Sequence, residues 1–213
     1  MIKTDVFESH FIPAKRSSNL LMIVLHGKGD SLKPFRQFNE ELAVSDINYL
    51  LLNAPKKYLG GFSWYGEPPY QRIGVLRVRQ KMFQLLNELE AQGWKTENTF
   101  LLGFSQGCLV STDIALHYPR KFAGVVGVSG YFNFEPRWRK QIDELALQTP
   151  WLLTHGRKDK IIPIEETKFG INKLKSIGLN IDWVESEKAH SFTEDDFTHI
   201  KKWVKQKITQ ASV

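Results

Sequence analysis

The sequence predicts an α/β fold with a mostly parallel central sheet and helices on both faces. Short apolar runs alternate with longer amphipathic segments along the chain, which is the order of a parallel sheet with helical crossovers. The apolar runs contain few polar residues, as is typical of strands buried on both faces. No repeat or low-complexity stretch interrupts the 213 residues. We therefore expect a single domain over residues 1–213 with one large core.

The predicted strands are the short apolar runs. Six are expected inside the sheet, and they cover residues 20–25, 49–52, 98–102, 125–128, 151–154 and 181–184. Residues 7–12 are a candidate for an additional N-terminal edge strand.

The predicted helices follow most of these strands. Residues 34–44 form the first, and residues 72–89 form a long amphipathic helix that ends before Gly93. A third helix begins after Ser105 and stops at Pro119, and a last helix has Asp195 and Asp196 in its first turn. The expected core contacts of the long helix are Ile73, Leu76, Met82, Phe83, Leu86 and Leu89.

Charge and cysteine content exclude several classes of protein. The net charge is +6, but the basic residues are dispersed, and no nucleic-acid-binding motif accompanies them. A modest cluster on the last helix is expected to be a solvated face; it consists of Lys201, Lys202, Lys205 and Lys207. Cys108 is the only cysteine, which excludes an intrachain disulfide, and its expected role is core packing.

The chain carries no recognisable targeting or membrane segment. Residues 1–16 mix charged and apolar residues, unlike a signal peptide, and no apolar run approaches the roughly 20 residues of a membrane span. We expect a soluble, cytoplasmic protein. Its oligomeric state stays open.

A Gly-x-Ser-x-Gly pattern joins the strand at 98–102 to the following helix. Gly103 and Gly107 allow close backbone approach at a sharp turn, which would leave Ser105 exposed at the top of the sheet. The N-terminus of the helix would direct free N–H groups towards negative charge that develops there. Ser105 is therefore the predicted nucleophile.

A serine nucleophile needs a general base and a group that orients it. His190 is the predicted base, because it lies in the loop between the last strand and the last helix, whereas His155 ends a strand and His199 lies inside a helix. Asp159 follows the strand at 151–154 and is the predicted orienting carboxylate. The order Ser105, Asp159, His190 is that of α/β-hydrolases.

Acyl transfer also needs hydrogen-bond donors for the developing oxyanion. The usual donors are the backbone N–H after the nucleophile and one from the first strand-to-helix loop. Gln106 and Lys28 occupy these two positions. The Lys28 side chain is expected to extend over the mouth of the substrate groove.

Four segments together resemble the phospholipase/carboxylesterase family of α/β-hydrolases, which includes the acyl-protein thioesterases. They are LHGxGD at 25–30, SWY at 63–65, GFSQG at 103–107 and HGxxD at 155–159. The resemblance implies an α/β-hydrolase fold with little or no lid, no cofactor or metal, and Ser105, Asp159 and His190 as a catalytic triad. It also implies that Phe62, Trp64 and Tyr65 lie near an acyl-binding groove. Two features are unusual for that family: Lys28, where an apolar residue is typical, and the aromatic and basic segment 131–148.

The leading functional hypothesis is a serine carboxylic ester hydrolase that forms an acyl-enzyme with short or medium acyl esters, or with thioesters. Its expected partner is this small-molecule substrate and not a nucleic acid. Because one triad serves several leaving groups, a lysophospholipase or a peptidase is the alternative. A non-catalytic binding protein with a hydrolase fold is a third hypothesis, although such a scaffold needs none of the three triad residues.

Overall fold

A computed structural model describes residues 2–132, 142 and 144–211 of the chain. The strands are β1 (Ser9–Ile12), β2 (Leu21–Leu25), β3 (Asn48–Leu52), β4 (Lys56–Tyr58), β5 (Gly61–Ser63), β6 (Thr99–Phe104), β7 (Gly124–Val128), β8 (Trp151–Gly156) and β9 (Ile181–Ser186). The α-helices are α1 (Phe38–Leu42), α2 (Gln71–Ala91), α3 (Gln106–His117), α4 (Ile164–Ser176) and α5 (Glu194–Ala211). Much of the aromatic and basic segment 131–148 lies outside the described residues.

Within the described residues, seven strands form one sheet in the order β1-β3-β2-β6-β7-β8-β9. In this sheet β1 runs antiparallel to β3 and the other described neighbours run parallel, so the predicted mostly parallel sheet and its N-terminal edge strand are both confirmed. The central strands β2 and β6 pair in parallel, with Leu25 opposite Gly103 at their carboxyl ends. This pairing brings the loop after β2 beside the turn after β6, at the edge where parallel sheets bind ligands.

Alternate residues of the central strands contribute to two cores, one on each face of the sheet. In β2, Ile23 packs in the core that also contains buried residues of α2 and α3. Its neighbour Val24 packs on the opposite face with residues of α1 and α5. The predicted covering of both faces by helices is therefore confirmed. Among the described residues, no separate lid domain accompanies these layers.

Helix α2 forms where the sequence predicts it, but its buried face is partly different. Ile73 and Leu76, which were expected in the core, are 51% and 36% exposed. Val75 and Val78 take their places and continue a stripe with the buried Met82, Leu86 and Leu89. Each helical residue turns the chain by about 100°, so a shift of one or two positions moves a side chain off the buried stripe. The predicted set of core contacts was wrong at these two residues.

The predicted helix at 34–44 is shorter than expected. A 3₁₀ turn covers Pro34–Gln37, and α1 follows with only five residues. Ala43, at its C-terminus, has a φ of 49°, and this left-handed conformation ends the helix.

The hairpin of β4 and β5 was not predicted. Its turn places Leu59 and Gly60 at positive φ values of 42° and 82°. Such turns usually contain Asn-Gly or Asp-Gly, so a leucine at the first position conceals the signal. The hairpin packs on the loop after β2, because Gly29 N–H donates to the Phe62 carbonyl and Phe62 N–H donates to the Asp30 carbonyl, both at 2.8 Å.

Candidate active site

Ser105 stands on a strained turn between β6 and α3. Its φ of 53° and ψ of −114° are unusual for a residue with a side chain. The turn requires glycine on both sides, since a Cβ on Gly103 would lie 2.2 Å from the Gly107 carbonyl oxygen, and a Cβ on Gly107 would lie 2.3 Å from that of Leu25. The close backbone packing expected from the Gly-x-Ser-x-Gly pattern is therefore present.

The structure brings Ser105, His190 and Asp159 into one chain of contacts. His190 Nε2 lies 2.9 Å from Ser105 Oγ, and His190 Nδ1 lies 2.8 Å from Asp159 Oδ2. The His190 ring also packs on Phe104, with 5.1 Å between the ring centroids. An imidazole whose Nδ1 proton is held by a carboxylate presents the Nε2 lone pair to the hydroxyl.

Asp159 is a fully hydrogen-bonded buried carboxylate. Its side chain has no exposed surface, and its Oδ1 accepts the N–H groups of Ile161 and Ile162, both at 2.9 Å. Burial alone would raise the pKa of Asp159, but the Ile162 N–H, His190 and the Ile161 N–H outweigh it and lower the pKa below the ordinary value. Asp159 is therefore ionised at neutral pH.

The other histidines considered as bases are engaged elsewhere. His155 is fully buried, with Nε2 at 2.9 Å from the Ile162 carbonyl oxygen and 3.2 Å from Asp159 Oδ2. His155 thus lies behind the carboxylate and contacts the same oxygen as His190. His199 Nδ1 lies 2.7 Å from the Asp195 carbonyl oxygen within its own helix.

The loop after β2 lies next to Ser105, and the buried His26 side chain fixes its backbone. A Cβ on Gly27 would lie 3.4 Å from Ser105 Cβ, so the loop backbone passes close to Ser105. His26 Nε2 accepts the Ala54 N–H at 3.1 Å, which leaves the proton on Nδ1, 2.6 Å from the Gly27 carbonyl oxygen. Burial lowers the pKa of His26 and keeps its ring neutral. His26 therefore shapes the backbone that leads into Lys28.

The Gln106 side chain ties the start of α3 to the segment after β5. Its Oε1 accepts the Trp64 N–H at 2.8 Å, and its Nε2 donates to the Tyr65 carbonyl at 3.0 Å. The Trp64 indole N–H in turn donates to the His26 carbonyl at 2.8 Å. Among the described residues, no acceptor is paired with the backbone N–H of Gln106 or Lys28.

The three expected groove residues differ in the surface that they offer. Trp64 and Tyr65 are only 1% and 2% exposed, and both pack in the core. Burial raises the pKa of Tyr65, whose hydroxyl pairs with that of Tyr131 at 2.8 Å. Phe62 is half-buried, so it is the one of the three with side-chain surface for a ligand.

The Lys28 side chain turns towards the segment after β5. Its Nζ pairs with the Glu67 carboxylate and lies 4.7 Å from the centroid of the Tyr58 ring. The hydrogen bond to Glu67 raises the pKa of Lys28. The Lys28 side chain, which was expected to extend over the mouth of the substrate groove, therefore has a partner of opposite charge.

Lys188 and Asp196 form a buried ion pair beside the loop of His190. The sequence places Asp196 in the first turn of the last helix, but its side chain is only 3% exposed and pairs with Lys188 Nζ at 2.6 Å. The one signal for this role is the Thr193-x-x-Asp196 spacing of a capping box, in which Asp196 accepts the Thr193 N–H at 2.8 Å. Sequence reasoning missed this pair.

Two further expectations concern Cys108 and membrane spans. Cys108 is 1% exposed, and burial raises the pKa of its thiol to about 12, which fits its predicted packing role.

Every helix within the described residues is too short or too polar to cross a bilayer.

Comparison with known proteins identifies relatives over nearly the whole chain. An acyl-protein thioesterase 1 from Yarrowia lipolytica is 28% identical over 221 residues, which cover 93% of this chain and 96% of the relative. Carboxylesterase SOBER1 from Arabidopsis thaliana is 26% identical over 206 residues, or 88% of this chain and 90% of the relative. A probable inactive carboxylesterase from Oryza sativa is 27% identical over 133 residues, or 62% of this chain and 54% of the relative.

Solved structures have the same fold. The crystal structure of Arabidopsis thaliana SOBER1 superposes with a TM-score of 0.83 at 25% identity, over 89% of this chain and 99% of the other. A sequence profile of the phospholipase/carboxylesterase family matches residues 8–208. The resemblance carried by the sequence motifs is thus confirmed, and the chain belongs to the phospholipase/carboxylesterase family of α/β-hydrolases.

Proposed function

We propose that the protein is a serine hydrolase that cleaves carboxylic esters, and thioesters as a second substrate class, through an acyl-enzyme on Ser105. The observation that carries the proposal is the unbroken set of contacts from Ser105 Oγ to His190 and on to Asp159, at 2.9 and 2.8 Å. The carboxylesterases and acyl-protein thioesterases among the relatives support the substrate classes.

In the first half of the reaction, Ser105 Oγ attacks the acyl carbonyl carbon while His190 Nε2 takes the hydroxyl proton. Asp159 stabilises the imidazolium that forms. The carbonyl oxygen becomes an oxyanion, for which we assign the backbone N–H groups of Lys28 and Gln106 as donors. When the tetrahedral intermediate collapses, His190 gives its proton to the departing alcohol or thiol.

In the second half, water takes the place of the leaving group. His190 removes a proton from this water as it attacks the acyl carbon on Ser105. When this second intermediate collapses, the bond from the acyl carbon to Ser105 Oγ breaks, His190 returns the proton to Ser105 Oγ, and the acid is released. Phe62 is assigned to the acyl-binding wall. Trp64 and Tyr65 support that wall from the core, because their burial leaves little surface to touch a substrate.

A fluorophosphonate probe tests the nucleophile directly. We expect the wild-type protein to be labelled and the Ser105→Ala variant to be folded and unlabelled. Ser105→Ala should also lower ester hydrolysis by about 10³-fold or more. Labelling at another residue, or near-normal turnover by Ser105→Ala, would show that the assignment is wrong. Absence of labelling in the wild type would favour the non-catalytic hypothesis. One relative is itself named a probable inactive carboxylesterase.

A substrate panel distinguishes the leaving groups. Esters and acyl thioesters of short and medium chains are expected to be turned over faster than lysophospholipids or peptides. Preferential release of fatty acid from lysophospholipids would favour the lysophospholipase alternative on the same three residues. Preferential cleavage of peptides would favour the peptidase alternative.

A further inference from the structure

The loop that carries His190 is anchored two residues before and two residues after that histidine. The anchor after His190 is Phe192, whose ring packs against Phe197 and Phe38 with centroid distances of 4.7 and 5.7 Å. The anchor before His190 is Lys188, which is buried and forms an ion pair. Between the anchors, Ala189 is exposed and His190 is half-buried. The position of the His190 ring therefore depends on the two anchors.

The anchor before His190 depends on one carboxylate, that of Asp196. Lys188 Nζ lies 2.7 and 2.6 Å from the two oxygens of Asp196, and the side chains are only 5% and 3% exposed. Asp196 also accepts the Thr154 hydroxyl at 2.7 Å, and the N–H and hydroxyl of Thr193 at 2.8 and 2.9 Å. A single carboxylate thus joins the end of β8, the start of α5 and the loop of His190.

The backbone of Lys188 contacts the loop of Asp159 as well. Its carbonyl oxygen accepts the Lys158 N–H at 3.1 Å, immediately before Asp159. A Cβ on Gly156 would lie 2.0 Å from the same oxygen, so the two loops touch where only glycine fits. A displacement of Lys188 would therefore move His190 relative to both Asp159 and Ser105.

Stability alone does not explain a buried ion pair at this place. Removing two charges from water is costly, and well-packed apolar residues of similar volume often stabilise a protein equally well or better. The ion pair adds a fixed position for the side chain, because two short charge-assisted hydrogen bonds hold the lysine ammonium group in one place. The fixed lysine lies two residues from the proposed base.

We propose that Lys188, through its ion pair with Asp196, is a positioning residue for His190. This inference rests on the function proposed above, in which His190 is the general base. The charged group of Lys188 is bound to Asp196, so Lys188 acts by holding the imidazole at hydrogen-bond distance from both of its partners. A misplacement of about 1 Å in such an arrangement can cost about 100-fold in rate.

The test compares variants of two buried ion pairs. Lys188→Met removes the ammonium group that anchors the loop and leaves the Asp196 carboxylate without its cation. The double variant Lys188→Met, Asp196→Asn also removes this negative charge, while the amide oxygen at position 196 can still accept the Thr193 N–H at the start of α5. Arg79→Met is the matched control, because Arg79 forms a similar bidentate pair with Asp113 at 2.8 and 2.6 Å on the α2 and α3 side of the sheet. Each variant is measured for Tm, for kcat and KM on p-nitrophenyl acetate, and for the downfield proton resonance of His190 Nδ1.

We expect Lys188→Met and the double variant to lose about 10- to 100-fold in kcat with little change in KM. The His190 Nδ1 resonance should shift or broaden in both. Arg79→Met should lower Tm while kcat and the resonance stay unchanged.

A folded double variant with wild-type kcat and an unaltered resonance would overturn the proposal, whatever happens to its Tm. If Lys188→Met fails to fold, the double variant decides. If the wild-type protein hydrolyses no ester, the proposed function fails on its own. The resonance then still reports whether Lys188 positions His190.

Discussion

Truncation of Gln106 separates its backbone role from its side-chain role. Gln106→Ala keeps the N–H assigned to the oxyanion but removes the acceptor of the Trp64 N–H at 2.8 Å. The buried Trp64 N–H is then unsatisfied, which costs about 1–3 kcal/mol. The lost buried methylene adds about 0.8 kcal/mol. We therefore expect a loss of roughly 2–4 kcal/mol, or a Tm lower by about 4–16 °C for a chain of this size.

The same truncation should also slow catalysis. Trp64 holds the His26 carbonyl through its indole N–H, and the next residues lead to the Lys28 N–H. If Trp64 is released, this donor moves away from the oxyanion, and we expect kcat to fall by about 10-fold or more. Thermal denaturation and hydrolysis of a short p-nitrophenyl ester measure the two effects.

Ser63→Ala is the matched control for Gln106→Ala. It removes a hydroxyl whose one proton faces the Tyr65 carbonyl oxygen at 2.8 Å and Gln106 Oε1 at 3.2 Å. The hydrogen bond that the Trp64 N–H donates to Gln106 Oε1 stays in place. Its cost should stay near 1 kcal/mol, with kcat almost unchanged. A Gln106→Ala variant with reduced Tm but wild-type kcat would refute the link between this side chain and the oxyanion loop. An unchanged Tm would refute the energetic argument itself.

Two other predictions concern pH and Lys28. Asp159, whose pKa is lowered, should stay ionised through the mildly acidic range, so log kcat/KM for a neutral ester should rise with pH with a slope no steeper than about one. A slope near two would mean that this carboxylate also takes up a proton. Lys28→Leu should cost about 1 kcal/mol or less, since its pair with Glu67 is largely exposed. The kcat of Lys28→Leu for a short ester should stay near the wild-type value, because the backbone N–H of residue 28 remains. The wild-type protein should show no preference for anionic esters, because the Lys28 charge is paired, and a series of anionic and neutral esters with and without salt measures this preference.

The strands that the sequence predicts correctly, and the turn at Ser105, have sequence signals that lie within a few positions of each other. The turn at Ser105 needs glycine two residues away on either side, and this requirement is visible in the sequence itself. The parallel strands are visible as apolar runs because both of their faces are buried. The order of strand ends then brings Asp159 and His190 to the sheet edge that holds Ser105.

The features that were missed depend on partners that lie far apart or give no local signal. A Leu-Gly pair is not a typical sequence signal for a hairpin turn, so the hairpin that carries Phe62 was not expected. Ile73 and Leu76 are apolar and suitably spaced, but the close packing of Gly74 on Tyr65 helps to set which side of α2 is buried. Only the tertiary structure fixes that rotation.

The contacts around the loop of His190 show why only part of such a site can be predicted from a sequence. A lysine in a loop and an acidic residue in the first turn of a helix are usually solvated, and each has a sufficient local explanation. The Asp196 carboxylate is also tied to the sheet by Thr154 of β8, which lies 42 positions away along the chain and donates to it. The groups that react can be recognised by their chemistry. The groups that hold them in place are ordinary residues, and only the contacts made across the sheet edge give Lys188 and Asp196 a role that their types do not suggest.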